Sequence, residues 1–204
     1  MCENPAGTNN AAGTNPDKKI KEMYRRFLFQ ECIQYKNLGY RILNDGAELF
    51  GNDTKIAPQA WLHQIYPPLN NDDINNLEQL VEIAFPNSLV DFYHEMNGFS
   101  IFSKKFSING LRKNFSRNIE AAWQPFSIET KNIKEKPFNA KKEDIFIGFY
   151  SESGNVAYMD SKTEKISICA SNNATSLRLW NNLYEFLNDE ITNLFSKNAL
   201  YYLQ

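Results

Sequence analysis

The chain is poor in the residues that most often carry chemistry: two histidines, three cysteines and nine glycines in 204 residues. Cys2, Cys32 and Cys169 are odd in number and far apart, which gives neither a disulfide framework nor a metal-ligand pair. A reducing, cytoplasmic compartment is therefore expected. There is no Gly-rich phosphate cradle, no HExxH, no CxxC and no Gly-x-Ser-x-Gly elbow, so no cofactor, metal or catalytic residue is expected. No apolar run approaches the roughly 20 residues of a membrane span, and no charged-then-apolar leader opens the chain. Neither a membrane nor a secretory route is expected on those grounds. Charge of one sign is also lacking. Lys and Arg number 22 against 24 Asp and Glu, a net charge of -2, which removes the electrostatic footprint of direct nucleic-acid binding.

Aromatic residues, by contrast, are abundant: 15 Phe, 10 Tyr and 3 Trp. That is ample for a real core in one domain and speaks against disorder over most of the length. Residues 1–16, rich in Asn, Gly, Ala, Thr and Pro, read as a flexible tail. Asp17 can cap a helix whose stripe is Ile20, Met23, Tyr24, Phe27 and Leu28, with Lys18, Lys19, Arg25 and Arg26 on its other side. Gly39, Gly46 and Gly51 break residues 37–57 into short elements and loops. Trp61, Leu62, Ile65 and Tyr66 read as core contacts ahead of Pro67-Pro68. A second helix comes next, capped by Asn70 or Asn71, with Asp72 and Asp73 in its first turn and Ile74, Leu77, Leu80, Val81 and Ile83 on its buried stripe.

The most fully specified stretch is 85–99, FPNSLVDFYHEMNGF. Pro86 suits a helix start, Asn87 or Ser88 can cap it, and Leu89, Phe92 and Met96 share a face. Asn97-Gly98 stops the helix, since glycine takes a left-handed conformation without steric cost. Strands are predicted at 99–103 and 106–111, with Lys104-Lys105 turning between them. Residues 112–144 are less regular, with a helical turn near Ile119 to Trp123 and a charged surface loop at 129–144. Residues 145–170 read as three strands on short turns, an antiparallel meander. A last helix is predicted from about Ser176 to Lys197, with Leu177, Trp180, Leu183, Tyr184, Leu187, Ile191 and Leu194 on one stripe. His94 adjoins Glu95, but no nucleophile accompanies it, and a structural role is the stronger reading.

The 85–99 pattern resembles the signature of the SUKH superfamily, named for Smi1/Knr4 and related proteins. Gly110-Leu111, then Gly148, Gly154, Tyr158 and Asp160, then Phe186-Leu187 extend the resemblance over roughly 58–195. It implies an α+β fold, a SUKH-like single domain with a mostly antiparallel sheet packed against N-terminal and C-terminal helices. The organisation expected is a flexible tail at 1–16, an N-terminal helical extension at 17–57 and the SUKH-like domain at 58–204. It implies a binding protein, not an enzyme: a bacterial immunity protein that blocks a cognate polymorphic toxin domain, often a nuclease, by occlusion. The alternative it carries is a Smi1/Knr4-like regulatory scaffold in cell-wall or signalling assemblies. Partner-binding candidates are Trp123 as an aromatic anchor, with Asp72 and Asp73 on the second helix and Glu152, Asp160 and Glu164 at hairpin ends.

Overall fold

Among the described residues, nine strands succeed one another in space in the order in which they occur in the chain, each antiparallel to its neighbours. The computed structural model describes residues 23–116 and 120–202. The expected tail at 1–16, the helix start at Asp17 and Ile119 lie outside the described residues.

Helix α1 (Met23–Ile33) buries Tyr24, Leu28 and Cys32. A short 3-10 turn, Lys36–Leu38, leads into β1 (Tyr40–Ile42) and β2 (Glu48–Asn52). The described part of the expected helical extension thus holds two strands as well as a helix. Its β2 pairs directly with β3 (Trp61–Ile65), Phe50 opposite His63, so the extension shares one sheet with the rest of the domain.

Two helices then cross over before β4. In α2 (Asn71–Val81) the Asn70 side chain accepts the Asp73 N–H at 2.8 Å, and Asp72 and Asp73 occupy the first turn as the helix dipole favours. Helix α3 (Asn87–Glu95) differs from expectation at both ends. Pro86 stands just before the first helical residue, and neither Asn87 nor Ser88 supplies a side-chain cap. At the other end Met96 turns extended, φ -162°, and so ends the helix itself. Gly98 has the expected positive φ, 82°, but serves the next strand instead. A Cβ on Gly98 would lie 2.3 Å from the Ile108 carbonyl oxygen.

Strands β4 (Phe99–Ile101) and β5 (Phe106–Ile108) form the expected hairpin. The stretch after β5 includes a 3-10 turn, Glu120–Trp123, and one wide helical turn, Thr130–Lys134. That second turn corrects the reading of 129–144 as plain surface loop. The Asn132 side chain donates to the Ile128 and Phe146 carbonyls and accepts the Phe146 N–H, all at 2.8 Å, pinning the segment to the sheet. The meander β6 (Asp144–Tyr150), β7 (Asn155–Asp160) and β8 (Ile166–Ala170) matches the sequence reading.

The largest departure comes last. Residues 173–180, partly assigned to the final helix by the spacing of Leu177 and Trp180, form β9 (Asn173–Trp180), and α4 spans Leu183–Tyr202. Leu177 and Leu179 are exposed. The helix is set by its own start signal: Asn182 accepts the Glu185 N–H at 2.8 Å while Glu185 accepts the Asn181 N–H at 3.3 Å, a pair related to the capping box.

One core joins the four described helices to one face of the sheet, with Leu28, Leu77, Phe92, Phe106, Ile147, Met159 and Phe186 among its members. On the other face Phe146, Val156, Cys169 and Ala174 form a second, smaller cluster. Covered faces on both sides explain why 145–149 reads as a nearly continuous apolar run instead of an alternating one.

Candidate functional site

A cleft of about 510 Å³ opens beside β1. One wall is the end of β1 and the turn after it, Arg41 to Asp45, and the facing wall is Trp123, Gln124 and Pro125. Pro67, Pro68 and Leu69 carry the chain along the cleft between β3 and α2. The base is braced by a side-chain bridge between segments distant in the chain. Asn97 uses its side-chain amide like a strand edge, donating to the Leu111 carbonyl at 2.8 Å and accepting the Leu111 N–H at 2.7 Å. Gly110 allows that approach, because a Cβ there would sit 2.2 Å from Asn97 Oδ1. Gln124 fastens the strand-like stretch beyond it, accepting the Lys113 and Asn114 N–H groups at 3.0 and 2.9 Å.

The rim is charged. Lys113 pairs with Asp73 at 2.7 Å, and the Arg41 guanidinium stacks 5.2 Å above the Trp123 ring. Asp45 accepts the Ala47 N–H at 3.0 Å and so is occupied with its own turn.

The six residues singled out from sequence fall in three places. Trp123 lines the cleft, whereas Asp73 lies outside its lining and is tied to it through Lys113, with Asp72 exposed one position before Asp73. Trp123 is 6% exposed, a wall of the cleft and not a projecting anchor. Glu152 lies in the β6–β7 turn, exposed and 3.0 Å from Lys105. Ser151 and Gly154 of that turn line a second hollow of about 360 Å³. Asp160 and Glu164 bracket the β7–β8 turn at the opposite end of the hairpin. Asp160 accepts the Lys162 and Thr163 N–H groups at 2.9 and 3.0 Å, and Glu164 takes a left-handed φ of 58° to close the turn. Burial pushes the Asp160 carboxyl up, but these donors, together with Lys141, bring it below its ordinary value. The acidic residues therefore do not form one surface. Arg41, Lys113 and Gln124 are not legible in the sequence as site residues, because each is placed by a partner distant in the chain.

The histidines are engaged elsewhere. His63 is fully buried between Tyr35, Phe102 and Phe195, stacked on Phe195 with ring centroids 5.0 Å apart. Burial holds its pKa down to about 3. His94 Nδ1 lies 3.2 Å from the Leu69 carbonyl oxygen, to which it donates. Among the described residues no group of three or more His, Cys, Asp or Glu is placed to hold a metal ion, and no helix is long and apolar enough to cross a membrane.

These features define a single α+β domain: an antiparallel meander with helices on one face and a polar-rimmed cleft beside its first strand. The chain belongs to the SMI1 / KNR4 family (SUKH-1), whose sequence model matches residues 68–189, more than half of the chain. The match starts between β3 and α2, so the cleft takes one wall from before the matched region and the other from within it. No curated protein matches the chain.

Proposed function

We propose that this chain is an immunity protein that binds a cognate polymorphic toxin domain, such as a nuclease, and neutralises it by occlusion. Membership of the SUKH-1 family carries the reading. The cleft supports it, since a concave site with an aromatic wall and a charged rim suits insertion of a partner's loop or strand. A binding role without catalysis is supported by the histidines, one sealed in an aromatic cluster and one spent on a backbone carbonyl. The partner surface in this reading is the cleft with Trp123, Asp73 and Asp72; Glu152, Asp160 and Glu164 lie outside it. Blocking an active site needs only a stable interface, about 1,600 Å² in total being typical.

The test is capture from lysate of the source cells with the full chain as bait, through a moderate salt wash. The expected catch is one protein whose C-terminal domain kills when expressed alone and is harmless when co-expressed with this chain. Recovery of envelope or signalling proteins with no toxin among them overturns the reading in favour of a regulatory scaffold.

A further inference from the structure

Among the described residues no strand pairs with the outer edge of β1, and its register with β2 determines which groups face out. Leu43 N–H donates to the Ala47 carbonyl and Gly51 N–H to the Gly39 carbonyl, both at 2.9 Å. With Arg41 opposite Leu49, the hydrogen-bonded pairs fall at 39, 41 and 43, because bonded and non-bonded pairs alternate along an antiparallel ladder. Arg41 therefore turns both backbone groups toward β2, while Tyr40 and Ile42 turn theirs away. Among the described residues no hydrogen bond reaches the backbone of either. Their side chains are exposed as well, Ile42 by 59%. An edge presenting free N–H and C=O groups is a template for one more strand.

Charge selects the occupant. Arg41 has no carboxylate partner among the described residues, only the face of Trp123. Lys36 lies 3.9 Å above the Tyr40 ring and is likewise without an ion pair there. Of the acids nearby, Glu48 is paired with Arg25 and Asp73 with Lys113, while Asp45 accepts a backbone N–H of its turn and leaves one negative charge against the two cations Arg41 and Lys36. On a chain of net charge -2 this edge is locally cationic. A second copy paired about a twofold axis through Arg41 would set like charges opposite each other, which is unfavourable.

We propose that the β1 edge and its cleft receive an extended, acidic segment of a partner protein. The segment adds as a further strand, bonds to the backbone of Tyr40 and Ile42, and sets a carboxylate against Arg41. This rests on the reading of the chain as a protein-binding module and names the chemistry of its ligand.

The test uses the full chain and a peptide of about ten alternating valine and glutamate residues, monitored by amide hydrogen exchange and NMR titration. In the free chain the Tyr40 and Ile42 amides are expected to exchange much faster than that of Arg41, and the peptide should slow both. Ile42→Pro deletes only an outward N–H, so the ladder with β2 survives. It should weaken peptide binding about tenfold, the loss expected for one or two hydrogen bonds, with Tm unchanged. Arg41→Glu should lose the glutamate peptide and gain its lysine counterpart. Protection of Tyr40 and Ile42 in the free chain overturns the proposal. So does protection that grows with protein concentration, which would identify a second copy, and so does binding indifferent to Ile42→Pro. If the peptide docks but no toxin is captured, only the immunity reading falls. A captured toxin whose affinity is unmoved by Ile42→Pro sinks only this inference.

Discussion

Asn97 places its side-chain amide where a neighbouring strand would place a peptide group, satisfying both backbone groups of Leu111 in a buried setting. Asn97→Ala should leave that N–H and C=O unpaired, each costing about 1–3 kcal/mol. Urea unfolding should show the loss as a lower midpoint with an unchanged slope. The Asn-Gly pair at 97–98 and the Gly-Leu pair at 110–111 are thus two halves of one contact, which explains why both dipeptides stand out in the sequence. Their partnership is not legible there, because nothing local joins residue 97 to residue 111. The same limit applies to the cleft. Trp123 and Asp73 are readable as residue types, but Arg41 and Lys113 acquire meaning only from the groups across from them.

At the scale of elements, local signals read well wherever one residue sets the geometry. Asn70 caps α2 as its position suggests, and Gly154, φ 70°, turns β6 into β7. The pattern misleads at β9, where Leu177 and Trp180 fall three apart and mimic a helical stripe. The competing signal is Asn182 and Glu185, which start α4 three residues beyond Trp180. The distinction is measurable. Leu177→Lys on the exposed face of β9 should stay within about 0.5 kcal/mol of the parent. Leu183→Ala in the core should cost about 2–5 kcal/mol. A helix through 176–197 would make both costly, so thermal melts of the two variants separate the alternatives.

Across the whole molecule, two buried groups give stability opposing pH dependences. His63 is held neutral, its pKa down to about 3 against an ordinary 6.5, because burial disfavours its charge. The unfolded chain takes up that proton first, so the His63 contribution is lost as pH falls from 6.5 toward 3. Glu95 runs the other way. Burial raises its carboxyl to about 7 from 4.5, although the Arg25, Tyr24 and Met23 N–H groups oppose the shift. The folded chain holds that proton more tightly, so its contribution is lost as pH rises from 4.5 through 7. Each slope is at most about 1.4 kcal/mol per pH unit, and the two oppose each other between 4.5 and 6.5. His63→Phe should flatten the acid limb and Glu95→Gln the neutral one, each read as the difference from the parent in denaturant midpoints across pH.

Order in space equals order in the chain throughout the sheet. As the polypeptide leaves the ribosome, every new strand meets the strand made just before it, and none has to be threaded between two others. The sheet can grow from one side, with pairings that stay close in sequence except across the two long crossings before β4 and β6. Its core cannot close at the same pace. The ring of Tyr35, His63 and Phe102 belongs to early-made segments, yet Phe195 and Tyr202 of α4 pack against it. Helix α4 therefore acts as a latch on that ring. A chain cut short before residue 183 would carry all nine described strands and an open aromatic wound, a natural target for chaperones until α4 is made.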